Sequence, residues 1–297
     1  MTQEDPDDSA PIDVPLVQLL VAGQFPKWAH LPIRPVKASG HDNSTFRLGS
    51  EMSVRMSSAY RYAARVETEQ LWLPKLAPHR PLPIPTPLAM GAPAHGYPWS
   101  WSVNRWLDGE SATIERIDDL SVFAHDLANF LNGLRGIDTA GAPPPGPEKF
   151  YRGGDLAVYD AQVRECIDGL QDVVDEKTAT AVWEAALDAT WREPAVWLHG
   201  DVAAENLLVK DGRLFAVIDF GQLATGDPAC DVTIAWTFLR GASRDVFRRQ
   251  LSGNEATWSR GRGWGLWKVL LGVRDSRRTG HVESAKARWV IDDILSE

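Results

Sequence analysis

The chain predicts an α+β fold of two unequal parts, one strand-rich and one mostly helical, and three observations carry the prediction. Residues 33–106 hold short strand-like runs around a single helical stretch, broken by Pro and Gly. Residues 118–191 and nearly everything after the hairpin place apolar residues at helical spacing. Between those helical blocks, Leu207-Leu208-Val209 and Leu214-Phe215-Ala216-Val217-Ile218 flank a Lys210-Asp211-Gly212-Arg213 turn, the pattern of one β-hairpin.

In chain order, residues 1–13 are acidic and Pro-containing, which predicts a disordered tail and not a signal peptide. Asp13 is placed to cap a helix opening at Val14, with Pro15 tolerated in its first turn and Gly23 near its end. Strands are expected over 33–38, 46–48 and 52–56, a helix over 60–76, and strands near Leu88 and over 101–106. The Pro-rich stretch 78–87 reads as a loop. Further helices are expected over 118–134, 156–170 and 177–191, the first set apart by the Gly/Pro run 141–147.

A chain of 297 residues with 44% hydrophobic and 24% charged residues can bury a sizeable core. Its two cysteines, Cys166 and Cys230, are far apart and lack a paired His-Cys ligand pattern, so neither a disulfide framework nor a zinc site is expected. No apolar run approaches the roughly 18 residues that span a bilayer, so a cytoplasmic protein without membrane contact is expected. A formal charge of −9 argues against nucleic acid as a partner, because a phosphate backbone demands a basic face. The same charge is compatible with a cationic small molecule, and a monomer or homodimer is expected.

The chemistry is concentrated in two segments. His199-Gly200-Asp201 is followed by Asn206, and the hairpin then delivers Ile218-Asp219-Phe220-Gly221. Phosphoryl transfer from a magnesium nucleotide needs this set: one aspartate to orient and deprotonate an alcohol, and an asparagine and a second aspartate as hard oxygen ligands for Mg²⁺. Singly, each residue is an ordinary turn or strand-end residue; the order and spacing together carry the reading.

With these motifs the chain resembles the aminoglycoside phosphotransferase family, protein-kinase-like enzymes that phosphorylate small alcohols, over about residues 40–236. The resemblance implies a protein-kinase-like two-lobed fold, with an N-lobe over 14–107 that binds ATP or GTP and a C-lobe over 108–297 that holds the catalytic and acceptor sites. It makes Asp201 the catalytic base and Asn206 and Asp219 the Mg²⁺ ligands. Gly226-Asp227-Pro228 with Asp231 and Trp236 resembles the segment after the metal-binding loop, where Asp231 braces the catalytic loop or serves a helix's first turn. His199 reads as a structural hydrogen-bonder.

The N-terminal matches are looser. Residues 40–49 look like the nucleotide-covering hairpin without a G-x-G-x-x-G pattern, and Asn43, Ser44 and Thr45 are its candidate phosphate contacts. Arg55 stands where kinases carry a lysine; it keeps the charge in a planar fork. Its partner is expected on the 60–76 helix, Glu69 first and Glu67 second, the alternative being a solvated face with Arg65, Glu67 and Glu69 as surface charges. Arg105, Trp106 and Leu107 fall at the hinge that meets the adenine.

Among 13 tryptophans, Trp258, Trp264 and Trp267 cluster in the C-terminal helical region, where this family commonly builds its acceptor site, although at the helical spacing of Trp264 and Trp267 core packing is the commoner role. The function expected is transfer of the γ-phosphoryl of ATP or GTP to a hydroxyl of an aminoglycoside-type antibiotic or related compound. Kinases for macrolides, choline-like compounds or sugars, and a catalytically silent nucleotide-binding protein, are the alternatives. A protein kinase is disfavoured, because Gly226-Asp227-Pro228 follows Asp219 too soon for a long activation segment.

Overall fold

The computed structural model describes residues 12–36, 42–280 and 284–297. The chain divides into two compact units: the described residues of Met1–Gly109 with Ala216–Gly221, and Glu110–Phe215 with Gln222–Glu297.

Unit one opens with α1 (Val14–Gln24), capped by Asp13, whose side chain accepts from Leu16 N at 2.9 Å. Residues 1–11 of the expected tail lie outside the described residues, while Ile12, like Asp13, is part of the ordered structure and packs against the α1 core. Then come β1 (Ile33–Pro35), β2 (Asn43–Leu48), β3 (Met52–Ser57), α2 (Tyr60–Leu76), β4 (Pro87–Gly91) and β5 (Trp101–Arg105). The strands form one antiparallel sheet in the order β1-β2-β3-β5-β4.

Alternation along the strands sorts the side chains between the two faces. Phe46, Leu48, Val54, Met56 and Val103 point to one face and close a core with Leu16, Val17, Leu20 and Val21 of α1. Arg55, between Val54 and Met56, points to the other face, where Glu69 of α2 meets it. β2 begins three residues earlier than expected, because Asn43, Ser44 and Thr45 pair with Ser57, Met56 and Arg55. The last residues of the expected 33–38 strand, and the Gly40-His41 part of the covering hairpin, lie outside the described residues.

Unit two contains β6 (Glu110–Ser111), α3 (Leu120–Arg135), α4 (Asp160–Gly169), α5 (Glu176–Asp188), β7 (Val196–Leu198), β8 (Leu207–Lys210), most of β9 (Arg213–Val217), β10 (Ala224–Gly226), α6 (Ile234–Thr237), α7 (Ala242–Gln250), α8 (Glu255–Arg278) and α9 (Ala285–Leu295). Asp119 caps α3 through Ser121 N at 2.7 Å and Val122 N at 3.1 Å. The stripe Phe123, Leu127, Phe130, Leu131 and Leu134 is buried at helical spacing. The β8–β9 turn holds Asp211 and Gly212 both at positive φ, 51° and 72°, the type I′ geometry that Asp-Gly adopts at little cost.

Two departures have local causes. The expected 156–170 helix starts as a 3₁₀ segment, Leu156–Tyr159, because Asp155 caps it by accepting from Ala157 N at 2.9 Å; the α-helical part runs over Asp160–Gly169. The region after the hairpin is not helical at once. β10 pairs antiparallel with β7, and Gly226, at φ 157°, lies so close to Gly153 that a Cβ there would meet its carbonyl oxygen at 2.1 Å.

The segment Ala216–Gly221 groups with unit one, although the sequence places it in a lobe over 108–297. Two contacts tie it there: Val217 N donates to Pro83 O at 3.1 Å, and Asp219 pairs with Arg55.

Candidate active site

In unit two, β7 ends at Leu198 and the chain turns through His199-Gly200-Asp201. Asp231, buried in the 3₁₀ segment Pro228–Thr233, holds this turn from below. Its Oδ2 accepts from His199 N at 2.9 Å and its Oδ1 from Gly200 N at 2.8 Å. Burial pushes the Asp231 carboxyl up from its ordinary range, against the pull of His199 and Arg135. The fully buried His199 accepts from Asp201 N on Nδ1 at 3.2 Å. That contact of the imidazole helps shape the loop.

Asp201 stands at the end of this braced turn with a partly exposed carboxylate. Asn206, at the end of the 3₁₀ turn Ala204–Asn206, donates its Nδ2 to Asp201 O at 3.0 Å and to Oδ2 at 3.3 Å. The amide oxygen is therefore directed away from the aspartate. From α8, Lys268 Nζ reaches Asp201 Oδ1 at 2.7 Å. Burial would raise the Asp201 pKa, but Lys268 and then Arg152 outweigh it and hold the carboxyl at about 2.

In unit one, Arg55 Nη1 meets Glu69 Oε1 at 2.8 Å, and Nη2 makes a shorter ion pair with Asp219 Oδ1. Glu69 is 5% exposed and Arg65 6%, whereas Glu67 is exposed, so this side of α2 is not the solvated charge face that the sequence also allowed. Burial first, and the charge of Asp219 second, push the Glu69 carboxyl above its usual range; Arg55 opposes both. The same two carboxylates, acting against burial, hold the Arg55 guanidinium above its ordinary value. Asp219 sits at φ 64°, a left-handed conformation that aspartate tolerates better than most residues, and its Oδ1 also accepts from Gly221 N at 3.4 Å.

The remaining sequence-predicted residues separate by face. Asn43 and Thr45, opposite Ser57 and Arg55, share the Arg55 face, while Ser44, opposite Met56, faces α1. Ser44 is thereby set apart from the other two. At the expected hinge, Arg105 N donates to Thr86 O at 2.8 Å and Trp106 N to Glu51 O at 2.7 Å. Trp106 also carries Arg47 over its ring, 3.9 Å from Cζ to centroid. Of the three hinge residues, Leu107 is the one whose amide makes no hydrogen bond among the described residues.

Among the described residues no group of three or more His, Cys, Asp or Glu side chains is placed to hold a metal. Magnesium does not require one, since it is commonly bound through one or two protein oxygens plus substrate phosphates and water. The donor types are hard oxygens, considered unit by unit: in unit one the Asp219 carboxylate, exposed over 34% of its side chain, and in unit two the amide oxygen of the buried Asn206, whose Nδ2 is the atom that meets Asp201. They fit a small oxygen-loving cation.

The model of a phosphotransferase enzyme family matches residues 33–264. The chain belongs to that family. No curated protein matches it. Solved phosphotransferases share its fold: the GDP and kanamycin complex of APH(2")-IIia, at 17% identity and TM-score 0.72, covers 94% of this chain and 96% of its own. The streptomycin-ATP-APH(2")-IIa ternary complex matches at 18% identity and TM-score 0.60, over 97% of each chain. The macrolide 2'-phosphotransferase MphH from Brachybacterium faecium matches at 18% and 0.61, over 97% of this chain and 99% of its own. The α+β, kinase-like fold expected from the sequence is therefore the fold of this phosphotransferase.

Two neighbours of Asp201 were not among the sequence candidates. Lys268 lies 67 positions away in an amphipathic helix and Arg152 in a Gly-rich loop. Neither carries a motif, and no pattern in the sequence links them to the aspartate.

Proposed function

We propose that this phosphotransferase moves the γ-phosphoryl of ATP or GTP to a hydroxyl of a small molecule. In this reading Asp201 accepts a hydrogen bond from the acceptor hydroxyl, orients it for in-line attack and takes its proton. Asn206 and Asp219 hold Mg²⁺, which when bound neutralises charge between the β- and γ-phosphates. Arg55, positioned by Glu69, would grip phosphate oxygens through the guanidinium edge that faces Asp219. Asn43 and Thr45 line the phosphate side with Arg55, and Leu107, next to Arg105 and Trp106, offers a free amide to the base.

The observation that supports this reading best is the arrangement around Arg55. One guanidinium is shared by the helix glutamate and the aspartate of Asp-Phe-Gly, two carboxylates to one cation. Arg65, which pairs with Asp42, also acts on Glu69, so two guanidinium groups face three carboxylates there, a local negative excess suited to a divalent cation. Residues 14–107 would supply the nucleotide site, and 108–297 the base and the acceptor site. The acceptor belongs with the aminoglycoside or macrolide compounds named for the structural neighbours, or with a metabolite alcohol. The described residues hold no helix long and apolar enough to cross a membrane, and a cytoplasmic setting would supply the nucleotide.

The test is Mg²⁺-dependent consumption of ATP and of GTP against aminoglycosides, macrolides and small alcohols, with the phosphorylated product identified by mass. Transfer to at least one hydroxyl supports the reading. Tight nucleotide binding without transfer to any acceptor would favour the silent nucleotide-binding alternative.

A further inference from the structure

Resting on that reading, the surroundings of Asp201 within unit two sharpen the nature of the acceptor. Two cations converge on one carboxylate there. Lys268 Nζ is 2.7 Å from Asp201 Oδ1, with 38% of its side chain and 31% of that of Asp201 exposed. Arg152, only 6% exposed, lies over two indoles, its Cζ 4.8 Å from the ring centroid of Trp264 and 4.7 Å from that of Trp267. Tyr159 packs against Trp267 with centroids 4.3 Å apart. The Arg152 side chain makes no hydrogen bond or ion pair among the described residues, and its Nε is buried without a partner.

A buried guanidinium with no carboxylate in hydrogen-bonding contact is costly, and cation–π contact with two rings and the more distant charge of Asp201 offset only part of that cost. The group is incomplete as it stands. An aromatic box of this kind ordinarily receives a ligand cation, but here a protein cation already occupies it. A positively charged acceptor would meet both Arg152 and Lys268 as like charges. The stacked guanidinium offers its planar edge, a shape that matches a carboxylate in a two-point contact.

We propose that the acceptor carries a carboxylate, which pairs with Arg152 and approaches Lys268 while its hydroxyl meets Asp201, so that Arg152 and Lys268 select hydroxy acids over polycationic acceptors.

Three probes of one shape test it: 4-(hydroxymethyl)benzoate, its neutral amide, and 4-(hydroxymethyl)benzylamine. Each is titrated by ligand-observed NMR into the full-length protein, with and without a Mg²⁺-bound non-hydrolysable ATP analogue whose own affinity is measured separately. The benzoate should bind at least about ten-fold more tightly than the amine, the amide falling between, because the carboxylate accepts a charge-assisted hydrogen bond where the ammonium meets a like charge. Arg152→Gln should erase the preference, and Arg152→Lys should keep part of it. If a thermal melt shows Arg152→Gln unfolded, Lys268→Gln on the exposed side takes its place and should shrink the preference.

Equal or tighter binding of the amine, or no binding of any probe, overturns the proposal. So does an Arg152→Gln protein that keeps the preference and loses affinity for the nucleotide analogue, which would assign the cation to the transferred phosphoryl group. Loss of nucleotide binding by the wild-type protein strikes the kinase reading instead and leaves the charge preference to stand or fall alone.

Discussion

Asp219 and Asp201 are both aspartates in short glycine-containing turns, and both are paired with cations, yet their surroundings carry opposite excess charge. Around Asp219, one guanidinium serves two carboxylates. Around Asp201, one carboxylate serves the ammonium of Lys268 at 2.7 Å and the more distant field of Arg152. The first arrangement has room for a cation and the second for an anion. The difference shows how one residue type takes two jobs: the aspartate with the negative excess suits metal binding, and the one held ionised by a positive excess suits orienting a hydroxyl.

The comparison can be broken at several points, and the largest effect is expected at Asp219. Asp219→Ala should remove the carboxylate proposed to hold Mg²⁺ and lower transfer by more than about 10³-fold. The check is Mg²⁺-dependent turnover across a metal titration; near-normal activity at ordinary magnesium would refute the metal assignment. Asp201→Ala should cost roughly 10²–10⁴-fold in kcat with nucleotide affinity nearly unchanged. A variant that lost nucleotide binding and kept kcat would make Asp201 a structural residue.

Arg55 is the sharper probe of the first region. Arg55→Ala leaves Glu69 and Asp219 without their shared partner and should lower kcat/KM for ATP by about 10²-fold, in the range of lost charge-assisted hydrogen bonds. Arg55→Lys then reads geometry: one ammonium cannot span two carboxylates as a guanidinium does, so recovery should be incomplete. Full recovery would show that a point charge suffices. Unchanged kinetics in Arg55→Ala would remove the residue from the phosphate site.

The smallest expected kinetic effect concerns the brace. Asp231→Ala leaves the amides of His199 and Gly200 buried without acceptors, a loss of about 2–4 kcal/mol of stability. Denaturant unfolding measures it directly. A stability loss confined to a few tenths of a kcal/mol would mean that water or a neighbouring group replaces the carboxylate.

Much of unit one is legible because its signals are local. Helix α2 falls on its expected span of 60–76, and Arg55 and Glu69, each legible in its own segment, meet in the structure. Strand alternation explains why Arg55 can turn from the α1 core while Val54 and Met56 enter it. The same alternation separates Ser44 from Asn43 and Thr45, which a reading of the loop as an irregular turn could not foresee. β6, β7 and β10 escape sequence reading because two or three residues hold no measurable period. Trp264 and Trp267, read chiefly as core, are buried as core residues are, yet they also carry Arg152.

By itself the sequence determined the family, the α+β class and the order of the polar residues in its motifs, because each is written in contiguous residues whose spacing survives without knowledge of the fold. The tertiary structure decided the charge balance around each aspartate. Arg55 reaches Asp219 across 164 positions, and Lys268 reaches Asp201 across 67. Such pairings depend on which faces of β3 and α8 the packing turns inward. Coulomb energy depends on distance in space, and spacing along the chain does not encode it.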